Sequence, residues 1–114
     1  PMITIWHNPR CSKSRQTLAL LQERGIEPER RLYLTDPPSA EEIREALALL
    51  AMCAAGLVRF GEKTAKELGL KKTTSDDALI EAMAQNPILI ERPVVFANGR
   101  AALGRPPESV LDIL

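Results

Sequence analysis

The segment Ile3-Thr4-Ile5-Trp6-His7-Asn8-Pro9-Arg10-Cys11-Ser12-Lys13-Ser14-Arg15 constrains this chain more than any other stretch. It reads as a continuous apolar strand over Met2–Trp6, a Pro-containing turn, and a helix start that carries a cysteine. A helix over Ser12–Arg24 follows, with Leu18 and Leu21 at helical spacing, and Gly25 stops it. A second short strand is expected over Arg31–Leu34. Together these make a βαβ unit, which requires a parallel pair joined by a right-handed crossover.

The remainder continues the pattern. Asp36-Pro37-Pro38 is a loop, and Ser39-Ala40-Glu41-Glu42 has capping-box spacing ahead of a helix with Ile43, Leu47 and Leu50 on one face. A shorter helix is expected over Gly61–Leu68, stopped by Gly69. Another is capped by Thr74-Ser75-Asp76-Asp77, turns Leu79, Ile80 and Met83 inward, and ends before Asn86-Pro87. Val94-Val95-Phe96 is a strand, Asn98-Gly99 a hairpin turn, and Ala101–Gly104 the antiparallel return. Pro106-Pro107-Glu108 opens a last helix with Val110, Leu111 and Leu114 apolar. The order β-α-β, helical insertion, β-β-α is that of an α/β thioredoxin-like fold, a four-stranded mixed sheet covered by helices. It is expected as a single domain over residues 1–114. In that fold a proline before the third strand, often cis, faces a cysteine at the start of the first helix; Pro93 and Cys11 occupy those places.

Bulk properties remove several function classes. Net charge is zero over 114 residues, so there is no nucleic-acid footprint. No apolar run approaches the ~18 residues of a membrane span. No basic, apolar leader is visible, and only two cysteines occur, so a reducing, cytoplasmic setting is expected. One histidine and two distant cysteines do not make a zinc ligand set, so no metal is expected. Cys53, in Leu49-Leu50-Ala51-Met52-Cys53-Ala54-Ala55, reads as a small buried hydrophobe.

Cys11 is different. It falls at the positive end of a helix, among Arg10, Lys13 and Arg15, and the first acidic residue of the chain is Glu23. Free backbone N–H groups, the helix dipole and nearby cations lower a thiol pKa and make the sulfur nucleophilic. The alternative is a structural cysteine capping a helix. In the run Cys11-Ser12-Lys13-Ser14 the resolving position of a Cys-x-x-Cys pair is Ser14, which can donate a hydrogen bond to a thiolate but cannot form a disulfide. A catalytic Cys11 would therefore need an outside thiol. His7 could hold a proton near the sulfur, favour the thiolate as a cation, or simply pack. Arg15 lies one turn past Cys11. Arg59, Arg92 and Arg105 stand out by context, as planar forks of donors suited to tetrahedral oxyanions or as ordinary surface arginines.

With these residues in view, the chain resembles the glutaredoxin-dependent arsenate reductases of the thioredoxin-like superfamily over essentially its whole length. The matching stretches are His7-Asn8-Pro9-x-Cys11-x-x-Ser14-Arg15, Tyr33-Leu34 with Pro37-Pro38-Ser39, Asn86-Pro87-Ile88-Leu89-Ile90-x-Arg92-Pro93, and Gly104-Arg105-Pro106-Pro107-Glu108. Trp6 stands where the family usually has tyrosine. The resemblance implies that Cys11 attacks arsenate to form a thioarsenate and that Arg59, Arg92 and Arg105 hold the oxyanion. It also implies that glutathione is co-substrate, with no bound cofactor, and that glutaredoxin is the protein partner that completes reduction to arsenite. Two alternatives share the fold: a glutathione-linked thiol reductase acting on another substrate, and an Spx-like regulator that binds RNA polymerase. The second usually carries the Cys-x-x-Cys switch that Cys11 and Ser14 cannot close.

Overall fold

Ile5 is fully buried at the centre of a short strand that is paired on both sides. In the computed structural model, which describes residues 3–114, β1 (Thr4–Trp6) pairs parallel with β2 (Glu29–Arg31) and antiparallel with β3 (Val94–Ala97). β3 in turn pairs antiparallel with β4 (Arg100–Leu103), giving the sheet order β2-β1-β3-β4. This is the expected mixed α/β sheet. Met2, read as the start of the first strand, lies outside the described residues. The chain groups into two compact units, one running up to Asp36 and resuming over Arg92–Leu114, the other spanning Pro37–Glu91. The sheet belongs to the first.

In that first unit α1 (Ser12–Glu23) connects β1 to β2. The core is Ile5, Leu21, Val95, Ala97, Val110 and Ile113, with Ile3, Leu18, Leu20, Ile26 and Ala102 packed against it. Burying each large aliphatic side chain contributes about 1.5–3 kcal/mol. Trp6 and Phe96 add a tilted ring contact, centroids 5.0 Å apart. The hairpin forms at Asn98-Gly99 with φ of 54° and 71°, the pair of positive angles that a type I′ turn requires and that glycine meets without strain.

Two expectations are corrected in this unit. The second strand is Glu29–Arg31, not Arg31–Leu34. It is an edge strand held by backbone pairing, so it needs no apolar run. The apolar residues after it form a turn instead, in which the N–H groups of Thr35 and Asp36 donate to Leu32 O and Tyr33 is fully buried. The last helix, Pro107–Ile113, is 3₁₀ and buries Pro107, Val110 and Ile113, while Leu111 is half-buried and Leu114 exposed. Three residues per turn aligns i and i+3, which moves the inward face away from the 3.6-residue stripe. On α1 the fully buried positions are Ser14, Thr17 and Leu21; Leu18 lies beside that face.

The second unit is helical. α2 (Ala40–Leu50) begins with the expected capping box: Ser39 Oγ accepts from Glu42 N–H at 3.1 Å, and Glu42 Oε1 accepts from Ser39 N–H at 3.0 Å. It buries Ile43, Ala46 and Leu47, with Leu50 half-buried. α3 (Lys63–Glu67) is shorter than expected, and α4 (Asp76–Gln85) turns Leu79, Ile80 and Met83 inward from a Ser75 cap. Cys53 is exposed, contrary to the buried reading. The left-handed residue Ala51 ends α2, so Cys53 is off that helix and precedes the 3₁₀ turn Ala54–Gly56; Ala54 and Leu57 take the buried places. No described helix is long and apolar enough to cross a membrane.

Candidate active site

The turn between β1 and α1 is built by Asn8. Its side-chain Oδ1 accepts from Arg10 N–H and its carbonyl from Cys11 N–H, each at 3.0 Å. His7 N–H donates to Arg31 O at 2.9 Å and extends the parallel ladder by one bond. The chain then enters α1, with Cys11 as the residue before its first turn and Cys11 O accepting the first helical bond from Arg15 N–H.

The Cys11 thiol is 8% exposed and its pKa lies below that of an ordinary thiol. Burial is the largest single influence and pushes it up. The Ser14 N–H, the Arg92 charge, the Lys13 N–H and a hydrogen bond from the Arg92 side chain together outweigh burial. The two N–H groups face the sulfur without meeting the strict geometry of a helix cap. The charge that matters therefore comes from Arg92, far along the chain, and not from Arg10, Lys13 or Arg15 as the local sequence implied. Arg15 Nη1 instead donates to Pro9 O at 2.9 Å and braces the turn.

The hydroxyl of Ser14 does not serve the sulfur. Ser14 is fully buried, its Oγ lies 2.6 Å from His7 Nδ1, and it accepts Asn8 N–H at 3.0 Å. What reaches the thiolate from Ser14 is its backbone N–H. His7 is buried, and its pKa is lowered first by burial and then by the charges of Arg30 and Arg15. The ring is neutral at pH 7, which removes the reading of His7 as a cation beside the thiolate.

Arg92 and Arg105 reach the sulfur from the loops before β3 and after β4. Val94 and Leu103 are cross-strand partners, so the residues before β3 and after β4 leave the hairpin at the same end. Arg105 Nε donates to Arg92 O at 2.9 Å, and Arg105 Nη2 lies 3.9 Å from Cys11 Sγ. The Arg92–Pro93 and Arg105–Pro106 peptides are cis. The first unit thus brings together Cys11, Arg92, Arg105, His7, Asn8, Ser14 and Arg15, while Pro93 follows Arg92 and lies against Gly104. Arg59 belongs to the second unit. There its N–H donates to Leu89 O at 2.8 Å, and its guanidinium donates to Ile88 O at 3.2 Å and pairs with Glu62 at 3.2 Å.

A thiolate held at a helix start beneath two arginines can attack an electrophilic centre that carries negative charge. The model of the family described as ArsC family matches residues 6–113. The chain belongs to the ArsC family. It is 48% identical over 116 residues to an arsenate reductase of Neisseria meningitidis, covering 100% of this chain and 99% of that one. It is 54% identical over 114 residues to a protein of Escherichia coli K12 named YfgD, covering 98% and 96%. The structure of an arsenate reductase from Vibrio cholerae matches with a TM-score of 0.95 at 50% identity, over 99% of this chain and 98% of that one. The thioredoxin-like fold of this ArsC-family chain is thereby shared along its whole length.

Sequence reasoning missed two residues beside this site. Thr17 is fully buried on α1, one turn beyond Ser14, where the apolar stripe drew attention to Leu18. Gly104 N–H donates to Pro93 O at 3.0 Å and links the two arginine-bearing loops. Its place directly before Arg105 was the available signal.

Proposed function

We propose that this ArsC-family protein reduces arsenate to arsenite, with Cys11 as nucleophile, Arg92 and Arg105 as oxyanion ligands, and glutathione and glutaredoxin as the source of electrons. The observation that carries this reading is the Arg105 guanidinium 3.9 Å from Cys11 Sγ, beside Arg92, whose charge favours the thiolate. Arsenate reductases among the relatives support the choice of oxyanion. The Cys11 thiolate attacks arsenic, an As–S bond forms, and protonated oxygen leaves as water without change of oxidation state. Two external thiols then supply two electrons, end as a disulfide, and release arsenite and the Cys11 thiolate. Outside thiols are required because Ser14 occupies the resolving position.

The test is arsenite production from arsenate with glutathione, glutaredoxin and its reducing system. Wild type should turn over, Cys11→Ser should not, and Cys53→Ala should behave as wild type. Full activity in Cys11→Ser, or none in wild type, refutes the reading. Turnover of a glutathione mixed disulfide in place of arsenate would mark the thiol-reductase alternative.

A further inference from the structure

Gly104 lies where α1, the loop before β3 and the loop after β4 converge. A Cβ built on it would overlap Thr17 Oγ1 and stand 2.7 Å from Pro93 Cγ and 3.2 Å from Pro93 Cδ. No left-handed angle is required at this position, so close approach alone demands glycine here. Behind it, the fully buried Thr17 hydroxyl donates to Lys13 O at 2.8 Å, within the turn whose N–H groups face the sulfur. Ahead of it comes Arg105, anchored by Nε on Arg92 O and reaching Cys11 Sγ with Nη2.

We propose that Gly104 and Thr17 form a positioning contact: the bare backbone at 104, seated on Thr17 and Pro93, sets the distance between the Arg105 guanidinium and the Cys11 sulfur and so tunes capture of an anion at that sulfur. The inference rests on the reading of Arg105 as an oxyanion ligand. A methyl group at 104 must move the segment by roughly 1 Å to reach ordinary contact, and displacements of that size cost up to about a hundredfold in well-oriented sites. Neither residue touches the reacting atoms; both act through Arg105.

The test compares alkylation of Cys11 by anionic iodoacetate and by neutral iodoacetamide, in a Cys53→Ala background. The ratio of the two rates reads anion capture beside the sulfur whether or not arsenate is the substrate. Gly104→Ala should lower the ratio several-fold and raise the arsenate KM by about tenfold, with kcat moving less. A folded Gly104→Ala protein with the wild-type ratio overturns the proposal. Should that variant not fold, Thr17→Ala and Thr17→Val replace it. Alanine removes the wall behind Gly104 and should lower the ratio, and valine refills the volume and should restore it. A wild-type ratio in Thr17→Ala overturns the proposal equally. Absence of arsenate turnover in wild type would instead count against the proposed reaction, while the alkylation ratio still decides the positioning contact.

Discussion

Ser14→Ala separates two roles that one residue could play. The Ser14 hydroxyl is fully buried and doubly engaged, 2.6 Å from His7 Nδ1 and accepting Asn8 N–H at 3.0 Å. Alanine leaves the buried ring nitrogen without a partner, at a cost of about 1–3 kcal/mol, and strips a partly buried amide, which adds about 1 kcal/mol. The sum is about 2–4 kcal/mol. For a chain of 114 residues this lowers Tm by roughly 10 °C. The Ser14 N–H, which favours the Cys11 thiolate, survives the substitution. Thermal unfolding followed by circular dichroism should therefore show the drop. The pH profile of Cys11 alkylation, measured in a Cys53→Ala background, should keep its inflection. An unchanged Tm together with a raised inflection would refute the argument, because it would mean that the hydroxyl serves the sulfur after all.

Three further outcomes are expected. The wild-type alkylation inflection should fall below the ~8.5 of a free cysteine, and Arg92→Gln should raise it, since both the charge and a hydrogen bond of Arg92 favour the thiolate. His7, held below its ordinary value of ~6.5 by burial and by the charges of Arg30 and Arg15, leaves the unfolded chain binding a proton that the native state refuses. Its contribution to stability is full above about pH 6.5 and is lost as pH falls below that. Urea midpoints from pH 7 to pH 5 should show the decline, and His7→Asn should flatten it. Ile113→Ala should cost about 2–4 kcal/mol and Leu114→Ala under ~0.5 kcal/mol, because the 3₁₀ segment buries the first and exposes the second; equal losses in denaturant melts would contradict that assignment.

The parts legible in the amino-acid pattern were those with local chemical causes. Asn98-Gly99 specifies its own turn, Ser39 and Glu42 specify their own cap, and a Pro-containing turn after an apolar strand puts Cys11 at a helix start. What escaped depends on distant partners or on a change of period. β2 is charged because an edge strand needs only backbone bonds to β1. Pro107, Val110 and Ile113 repeat every three residues and so depart from an α-helical stripe. Ser14 and Thr17 are buried polar groups satisfied by His7, Asn8 and Lys13, and hydropathy cannot anticipate such partners. The cations next to Cys11 in sequence looked decisive, whereas the effective charge arrives from Arg92 across the sheet. Arg59 carries its expected role on the motif alone; within its own unit it pairs with Glu62.

The charge arrangement also bears on what the sulfur can attack. A thiolate and an incoming anion 4 Å apart repel by about 4 kcal/mol at an effective dielectric of 20. That is close to a thousandfold in rate. With His7 neutral, the guanidinium groups of Arg92 and Arg105 are the cations that reach the sulfur from the far loops. Arg92 favours the thiolate, and Arg105 Nη2 stands 3.9 Å from the sulfur, where it would meet an approaching anion. A disulfide sulfur is neutral and gains little from a guanidinium at that place, so removing the Arg105 charge should slow disulfide exchange at Cys11 only slightly. An oxyanion would instead face the repulsion that the guanidinium offsets. Arg105→Gln should therefore depress arsenate turnover far more than exchange with a neutral aromatic disulfide, and parallel losses in both would show that Arg105 acts on the thiolate alone.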